Sequence, residues 1–550
     1  MSLKPQAFDP VPAETARVAQ AAFPNGNVYM RMREEFGTLY TDEAFAMLFS
    51  QRGQPAAAPA CLALVTVMQF AEGLSDRQAA NAVRGRIDWK YALGLELTDP
   101  GFDASVLCEF RARLIVGQAE AKLFELMLNR FREAGLLKAR GQQRTDSTHV
   151  LAAIQTLNRL ECVGETMRRA LNVLAVVAPD WLRQQVPPEW FERYGRRFEE
   201  YRLPPGKPER YALAEMIGAD GFQLLQWLDA PATPAWFREI PAVAVLHQVW
   251  EQQFYAPDGP VRWRVAEDLP PSSAMICSPY DAEARYGKKR STEWTGYRTH
   301  LTETCDDDLP HLITDVQTTT APVSDFGMLP TIQAALAARE LLPAEQIVDA
   351  GYVTAAHLVS SPKAHGVTLV GPVNPDASWQ AKAQQGFEVA SFGIDWEAHT
   401  ATCPQGRVST LWMPGRDRHD HPVINIRFAQ ADCRACPVRT QCTHSETQAR
   451  TITIRTRDQH EALQAARQRQ TTEAFKEQYA ARAGIEGTIS QAVRVADLRR
   501  SRYIGRAKTH LQNLATAAAL NLLRVAAWLA EVPWAPTRQS PFAALATIGA

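Results

Sequence analysis

The chain has 550 residues, of which 46% are hydrophobic and 22% charged, and its formal net charge at pH 7 is −1. A chain of this length is too long for one hydrophobic core, so three or more domains are expected. The near-neutral charge excludes a uniformly basic coat for nucleic acid but allows local basic patches. The sequence has neither a purely apolar run of membrane-helix length nor the layout of a signal peptide, which predicts a cytoplasmic protein without a membrane partner.

Residues 1–140 are predicted to form a helical domain. Segment 59–72 is an apolar helix that begins at a proline, and a short turn containing glycine follows it. Ser75 is then placed to cap a second helix over 76–84. Helix, short turn and helix are the layout of a helix-turn-helix, which many helical bundles share. The pattern is therefore compatible with DNA binding without establishing it.

Residues 141–374 are predicted to mix strands and helices. The run 141–154 is rich in β-branched residues, and a helical insertion follows at about 155–280. The order strand, hairpin, helix, strand and strand then predicts an α/β sheet of mixed strand direction. Beyond the insertion, the predicted elements are hairpin strands 296–302 and 309–318, helix 325–341, and strands 346–349 and 367–371.

The last third of the chain contains a second insertion. Residues 375–470 are polar and irregular in pattern, residues 471–531 are helical, and residues 532–550, with three prolines, form a predicted tail. Four of the nine cysteines lie in the insertion: Cys403, Cys433, Cys436 and Cys442.

These four thiols suggest a metal site. Cys-x2-Cys is a zinc-ligand spacing, and a bound Zn²⁺ would give a fold to a segment with little apolar content. The alternative is a small apolar cluster of reduced cysteines. If zinc is bound, His419, His421 or His444 could replace Cys403 as the fourth ligand.

Three acidic residues occur where separate elements could bring them together. Asp146 lies in a strand-like run, and Asp349 follows a short predicted strand. Glu486 shares one stripe of a predicted helix with Tyr479 and Arg482. Three converging carboxylates can hold two divalent metal ions about 3.5–4 Å apart, an arrangement that cuts phosphodiester bonds. Each also has an ordinary alternative, a turn or cap for the aspartates and an exposed ion pair for the helix residues.

Two basic clusters are candidates for nucleic-acid contact. One spans 285–290 and the other 494–508. Each could instead be a solvated surface, and contacts of either with phosphates would make binding depend on salt. His300 lies on a predicted hairpin strand, where it faces either the sheet core or a cleft, and both interpretations are open from the sequence.

Taken together, these segments resemble the DDE-type transposases of bacterial insertion sequences. The similarity is greatest to the group that carries a Y-x2-R-x3-E-x6-K signature on the helix of the third acid. It covers most of the chain. The segments that carry it are 53–113, Thr145–Thr148, Trp294–His300, Val348–Tyr352 and Tyr479–Glu486.

The resemblance implies a ribonuclease-H-like α/β core with a helical N-terminal DNA-binding domain and two insertions. It implies that Asp146, Asp349 and Glu486 are the catalytic acids and bind Mg²⁺ or Mn²⁺. Water would attack a phosphodiester at each element end, and the freed 3′-hydroxyl would then attack target DNA. The implied partners are double-stranded DNA, as terminal inverted repeats and target, and a second copy of the chain in a homodimer.

The signature also implies residues that bind DNA. Tyr479 and Arg482 match its tyrosine and arginine, but its basic residue falls at Val493. Arg494 follows one position later, which on a regular helix turns its charge by about 100°, whereas Arg500 falls near the original stripe and is the expected substitute. Both arginines are predicted to contact DNA. Because of this departure, a second hypothesis is a transposase-derived DNA-binding protein that no longer cuts, and a third is a related nuclease without strand transfer.

Overall fold

The computed structural model of the protein describes residues 2–6, 10–255, 259–383 and 387–533. The tail predicted at 532–550 lies outside these residues from 534 onwards. The predicted helical N-terminal region is confirmed. Its helices are α1 (Ala13–Ala22), α2 (Val28–Phe36), α3 (Pro59–Ala71), α4 (Asp76–Gly85), α5 (Ile87–Leu93), α6 (Ser105–Val116) and α7 (Lys122–Glu133).

The predicted helix pair in this region forms as α3 and α4. Ser75 caps α4 in a capping box, in which its side chain accepts from the Gln78 backbone N–H and the Gln78 side chain accepts from the Ser75 N–H. Helix α3 is almost entirely buried, whereas α4 leaves Arg77, Asn81 and Arg84 exposed. The turn therefore positions a polar face of α4 towards solvent.

A mixed sheet forms the centre of the molecule. Its strands are β1 (Gln142–Leu151), β2 (Arg285–Lys289), β3 (Thr292–Thr304), β4 (Ile313–Thr320), β5 (Glu345–Val348) and β6 (Thr368–Val370). β3 is antiparallel to β1 on one edge and to β2 and β4 on the other. β1, β5 and β6 run parallel to one another. The predicted α/β sheet of mixed direction is thus present and is consistent with a ribonuclease-H-like core.

Two insertions interrupt this sheet. The first is helical and has its own hydrophobic cluster, which includes Leu174, Leu224 and Trp250. Its helices are α8 (Arg159–Val177), α9 (Pro179–Gln185), α10 (Pro188–Tyr194), α11 (Lys207–Asp229) and α12 (Pro241–Gln253). Helices α13 (Asp325–Ala338) and α14 (Ala355–His365) belong to the sheet that follows.

The second insertion differs from the irregular segment expected. It forms short strands, and in the last of them the alternate residues Ile452 and Ile454 are buried. They pack with Ile426 around Phe392 and Phe428. The apolar residues are few but are spaced by two, so they meet on one face of a small sheet. Its elements are α15 (Trp379–Ala383), β7 (Gly393–Asp395), β8 (Thr400–Thr402), β9 (Leu411–Arg416), β10 (Pro422–Arg427), α16 (Gln430–Arg434), α17 (Arg439–Cys442) and β11 (Thr451–Arg455).

The C-terminal helices connect the sheet with the N-terminal helices. They are α18 (Arg457–Arg469), α19 (Glu473–Ala480), α20 (Ala483–Ala496) and α21 (Arg506–Leu529). Helix α21 packs against β4 on one side and against α2, α3 and α7 on the other, so one continuous core spans both regions. The domain boundaries predicted from the sequence remain predictions. None of the helices in the described part of the chain combines the length and apolar content that a membrane span requires.

Candidate active site

Two of the predicted acids emerge from neighbouring parallel strands. In the register of β1 and β5, Thr145 is opposite Val348, so Asp146 and Asp349 follow side by side. Asp349 precedes a short 3-10 turn, Ala350–Tyr352, but its side chain makes no capping hydrogen bond there. Asp349 therefore does not act as the cap of this turn, and its carboxylate is available to face Asp146.

The third acid comes from α20, which packs on β1 and β3 through buried Ile485 and Ile489. The single helix expected to carry Tyr479, Arg482 and Glu486 is in fact two. Helix α19 ends at Ala480 and α20 begins at Ala483. Tyr479 therefore lies on one helix, Arg482 at the junction and Glu486 in the first turn of the next.

A buried arginine causes this interruption. Arg144, two residues before Asp146, donates from Nη1 to the Ala481 carbonyl oxygen at 2.7 Å. That oxygen would otherwise accept the backbone N–H of Ile485, which donates to Arg482 instead. A Cβ at Gly484 would lie 2.0 Å from Arg144 Nη1, so only glycine allows the guanidinium to come this close.

Arg482 links the three acids. Its guanidinium lies 2.6 Å from Asp146 Oδ2, 2.8 Å from Glu486 Oε1 and 3.8 Å from Asp349 Oδ2. The side chain of Asp146 is 9% exposed, that of Asp349 30% and that of Glu486 63%. The carboxylates thus line a cleft that is closed at Asp146 and open at Glu486, with a cation at its centre.

The electrostatics of this cleft favour further positive charge. Burial raises the pKa of Asp146, against the opposing effects of Arg482, a backbone hydrogen bond from Ser147 and the Lys289 ammonium. Asp349 adds to the rise because a second negative charge is near. A divalent cation beside these carboxylates would relieve both effects.

A second charged network holds α20 against the sheet. Glu303 on β3 is fully buried and accepts from Arg144 Nε at 2.7 Å, from Arg524 Nη1 at 2.7 Å and from the Thr488 hydroxyl at 2.6 Å. Burial alone would raise the pKa of Glu303, but the Arg524 and Arg144 guanidinium groups outweigh it and hold the pKa below its usual value. The network joins β1, β3, α20 and α21 behind the acids.

The structure also reveals a fourth carboxylate beside the site, which the sequence did not indicate. Asp325 begins α13 and is buried; its Oδ1 accepts from the Ser147 hydroxyl and from Arg298 Nη1, each at 2.8 Å. His300 lies 4.0 Å from the same oxygen, and its Nδ1 is 2.7 Å from the Tyr352 hydroxyl. Burial lowers the pKa of His300 to about 4, so this histidine is a neutral group behind the cleft.

The residues predicted to bind DNA lie in different environments. Tyr479 stacks on Phe475 at 5.6 Å between ring centroids. Arg494 and Arg500 are exposed, and Arg494 lines a groove between α20 and α21 rather than the acidic cleft. Val493 packs against the main hydrophobic core. The signature position that would carry a basic residue is therefore used for packing.

The four cysteines of the second insertion come together. Cys403, Cys433, Cys436 and Cys442 line one cavity, and all are free thiols. The Arg407 backbone N–H donates to Cys403 Sγ at 3.4 Å, so one sulfur already accepts a backbone hydrogen bond. Within the described residues, no three His, Cys, Asp or Glu side chains stand close enough together to hold a metal ion as they are, here or at the acids.

Comparison with known families agrees with this architecture. Residues 402–526 match the family described as Transposase DDE domain, and residues 17–113 match the family described as Transposase domain (DUF772). The first match contains Glu486, whereas Asp146 and Asp349 lie outside both. No curated protein matches the chain.

The matched DDE domain indicates an enzyme that cleaves DNA, on a fold consistent with a ribonuclease-H-like core. The two matches together support the resemblance to DDE transposases of insertion sequences that the sequence predicted.

Proposed function

We propose that this transposase cuts DNA at the ends of its element and joins the freed ends to target DNA, using Asp146, Asp349 and Glu486 as ligands for Mg²⁺ or Mn²⁺. The observation that supports this is the convergence of these three carboxylates from β1, β5 and α20 on the one guanidinium of Arg482. Carboxylate oxygens are the ligands that such hard cations prefer, so the donor set fits.

The proposed reaction is an in-line displacement at phosphorus. Water attacks the phosphodiester at an element end and the bond from phosphorus to the 3′-oxygen breaks, which leaves a 5′-phosphate and a 3′-hydroxyl. In the second step this 3′-hydroxyl attacks a target phosphodiester, and the bond from that phosphorus to the target's own 3′-oxygen breaks, so that the target 3′-oxygen departs as a hydroxyl. Bound divalent ions would activate the attacking oxygen and stabilise the leaving oxygen. The chain itself supplies position and charge: β1 and β5 fix two acids, and the Glu303 network fixes the helix that carries the third.

The partners follow from this chemistry. The substrate is double-stranded DNA, and two ends must be processed together, for which a homodimer is the simplest assembly. The N-terminal helices are proposed to bind the terminal repeats specifically, through the exposed polar face of α4. Arg482, Tyr479, Arg494 and Arg500 are retained as proposed DNA contacts.

The direct test is cleavage of DNA that carries the element's own ends. The wild type should cut with Mg²⁺ and stop with EDTA, and Glu486→Gln should be inactive while still binding the DNA. Glu477→Gln, the same change at an exposed glutamate on α19, is the matched control and should cut normally. Specific binding without any cutting by the wild type would instead support the DNA-binding alternative.

A structural Zn²⁺ site is proposed for the second insertion. Its support is that four thiols line one cavity beside a small sheet with few apolar residues. Movement of the sulfurs towards one another would complete a tetrahedral site.

Metal analysis of the purified protein should find about one zinc per chain. Cys436→Ser should lower the zinc content and destabilise the insertion. Cys108→Ser, at an exposed cysteine elsewhere, is the control, and a wild type without zinc would refute the site.

A further inference from the structure

Position 493, where the family signature has a basic residue, is a valine in this chain. Val493 takes that position and packs into the core, and Arg494 lines a different groove. DNA threaded past the acids would bring phosphates next to a cluster of negative charge. Because the Arg482 guanidinium is shared with three carboxylates, a second positive group near them would strengthen the hold on the DNA backbone.

Lys289 is such a group. It is the last residue of β2, at the tip of the β2–β3 hairpin, where it pairs with Thr292. Its ammonium lies 3.2 Å from Asp325 Oδ2, and its side chain remains 42% exposed. One N–H is directed to the buried carboxylate, so the other two are available to a ligand that enters from solvent.

Asp325 connects this lysine to the acids. Its Oδ1 accepts from the Ser147 hydroxyl at 2.8 Å, and the Ser147 backbone N–H donates to Asp146 Oδ1 at 2.7 Å. On the other side, a Cβ at Gly351, two residues after Asp349, would lie 3.2 Å from Asp325 Oδ2. The carboxylate that holds Lys289 is therefore packed against the neighbours of two of the three acids.

We propose that Lys289 binds a backbone phosphate of the DNA strand being cut and takes the place of the basic residue missing at Val493, with Asp325 as the residue that positions it. This inference rests on the proposed function, because the phosphate is that of the DNA bound at the acids. The β2–β3 hairpin would then contact DNA through Lys289, while the other basic residues of 285–290 would not take part in this contact.

The neighbouring lysine provides a matched control. Lys288 has the same charge on the same hairpin, but it pairs with Glu293 at 2.6 Å, and both side chains are largely exposed, 59% and 50%. Loss of Lys288 removes one positive charge from the hairpin without touching Asp325. If Lys289→Gln lowers DNA affinity more than Lys288→Gln does, the cause is the position of the lost charge, because both variants lose the same total charge.

The experiment measures binding and cleavage of DNA with the element's own ends as a function of salt. Lys289→Gln should weaken binding at least tenfold, reduce the salt slope by about one, and reduce cleavage at limiting DNA. Lys289→Arg should restore most of the affinity, and Lys288→Gln should stay within about threefold of the wild type. Equal effects of the two glutamine variants would overturn the inference.

A double-mutant cycle tests the role of Asp325. If Asp325 positions Lys289, the change Lys289→Gln should cost much less affinity in an Asp325→Asn background than in the wild type. If the affinity losses of Lys289→Gln and Asp325→Asn instead multiply in the double variant, Asp325 does not position Lys289. A cooperative melt of Asp325→Asn is the control that this variant is folded. Failure of the proposed function is a separate outcome, since it would appear as metal-independent cutting or as an active Glu486→Gln variant.

Discussion

At the scale of single residues, the Arg482 guanidinium lies within 4 Å of the three carboxylates proposed to bind metal ions. Its guanidinium is near all three predicted acids, and its side chain is only 16% exposed. Without it, two buried or half-buried aspartates and a nearby glutamate would face one another unpaired. We therefore expect the arginine to stabilise the metal-free protein and to compete with cations for the carboxylates.

This expectation can be measured without DNA. Arg482→Gln should destabilise the metal-free protein by about 3 kcal/mol, because removing one partner leaves a buried charge unpaired. It should also increase the rise in melting temperature produced by Mn²⁺ or Mg²⁺, since cations no longer compete with the guanidinium. Arg494→Gln, at an exposed arginine on α20, should change neither quantity. Identical metal responses in the wild type and Arg482→Gln would contradict the competition.

Some residues of this site could be predicted from the sequence and others could not. Asp146, Asp349 and Glu486 stand in recognisable segments, and the structure brings them together. Arg144, Glu303 and Asp325 gave no signal, because their roles depend on partners distant in the chain. Arg144, for example, reaches Glu303 across 159 positions and Ala481 across 337. No local pattern encodes such contacts.

At the scale of elements, the junction between α19 and α20 is set by tertiary contact. The spacing of Tyr479, Arg482 and Glu486 predicts that they share one helix, and the stretch 473–496 contains no proline that would end it. It breaks because Arg144 takes the Ala481 carbonyl, and Gly484 leaves the space for it. Helix periodicity predicts which residues share a face, but it cannot show that a side chain from another strand will end the helix.

Gly484 is therefore the position at which the junction can be tested. In Gly484→Ala the new methyl group would displace the Arg144 guanidinium from Ala481 and from Glu303, so we expect lower thermal stability and strongly reduced DNA cleavage. Gly487→Ala is the control, because an ideal Cβ there would have no neighbour within 4 Å outside the backbone of its own helix. That change should be neutral or stabilise the helix by up to about 1 kcal/mol. Similar losses in both variants would show that the junction is not specified by Arg144.

At the scale of the whole molecule, the predicted helical region and the sheet share one core. Helix α21 buries residues such as Leu514 and Leu522 between β4 and the N-terminal helices. Asn521 strengthens the junction, since its side chain donates to the Ile313 carbonyl and accepts the Ile313 N–H, each at 2.8 Å. The sequence predicts the helical region and the mixed sheet but not this sharing, because hydrophobic periodicity shows that a face is buried and not what covers it.

The helical insertion, in contrast, does not share the main core. Its apolar residues form a cluster separate from the main core. Its two ends also lie close together: Leu151 pairs with Gly296, which pairs in turn with Arg285. Two neighbouring strand spacings amount to about 10 Å, a distance that a few residues can span.

These two arrangements predict opposite results for two deletions. Replacement of residues 156–276 by a short Gly/Ser linker should leave a protein that still melts cooperatively, because the main core keeps all its partners. A chain that starts at residue 141 should fail to fold, because α21 would expose the face that α2, α3 and α7 now cover. Circular dichroism melts and limited proteolysis of both variants beside the full chain would decide. A stable, cooperative fragment from residue 141 would show that the N-terminal helices are an independent domain after all.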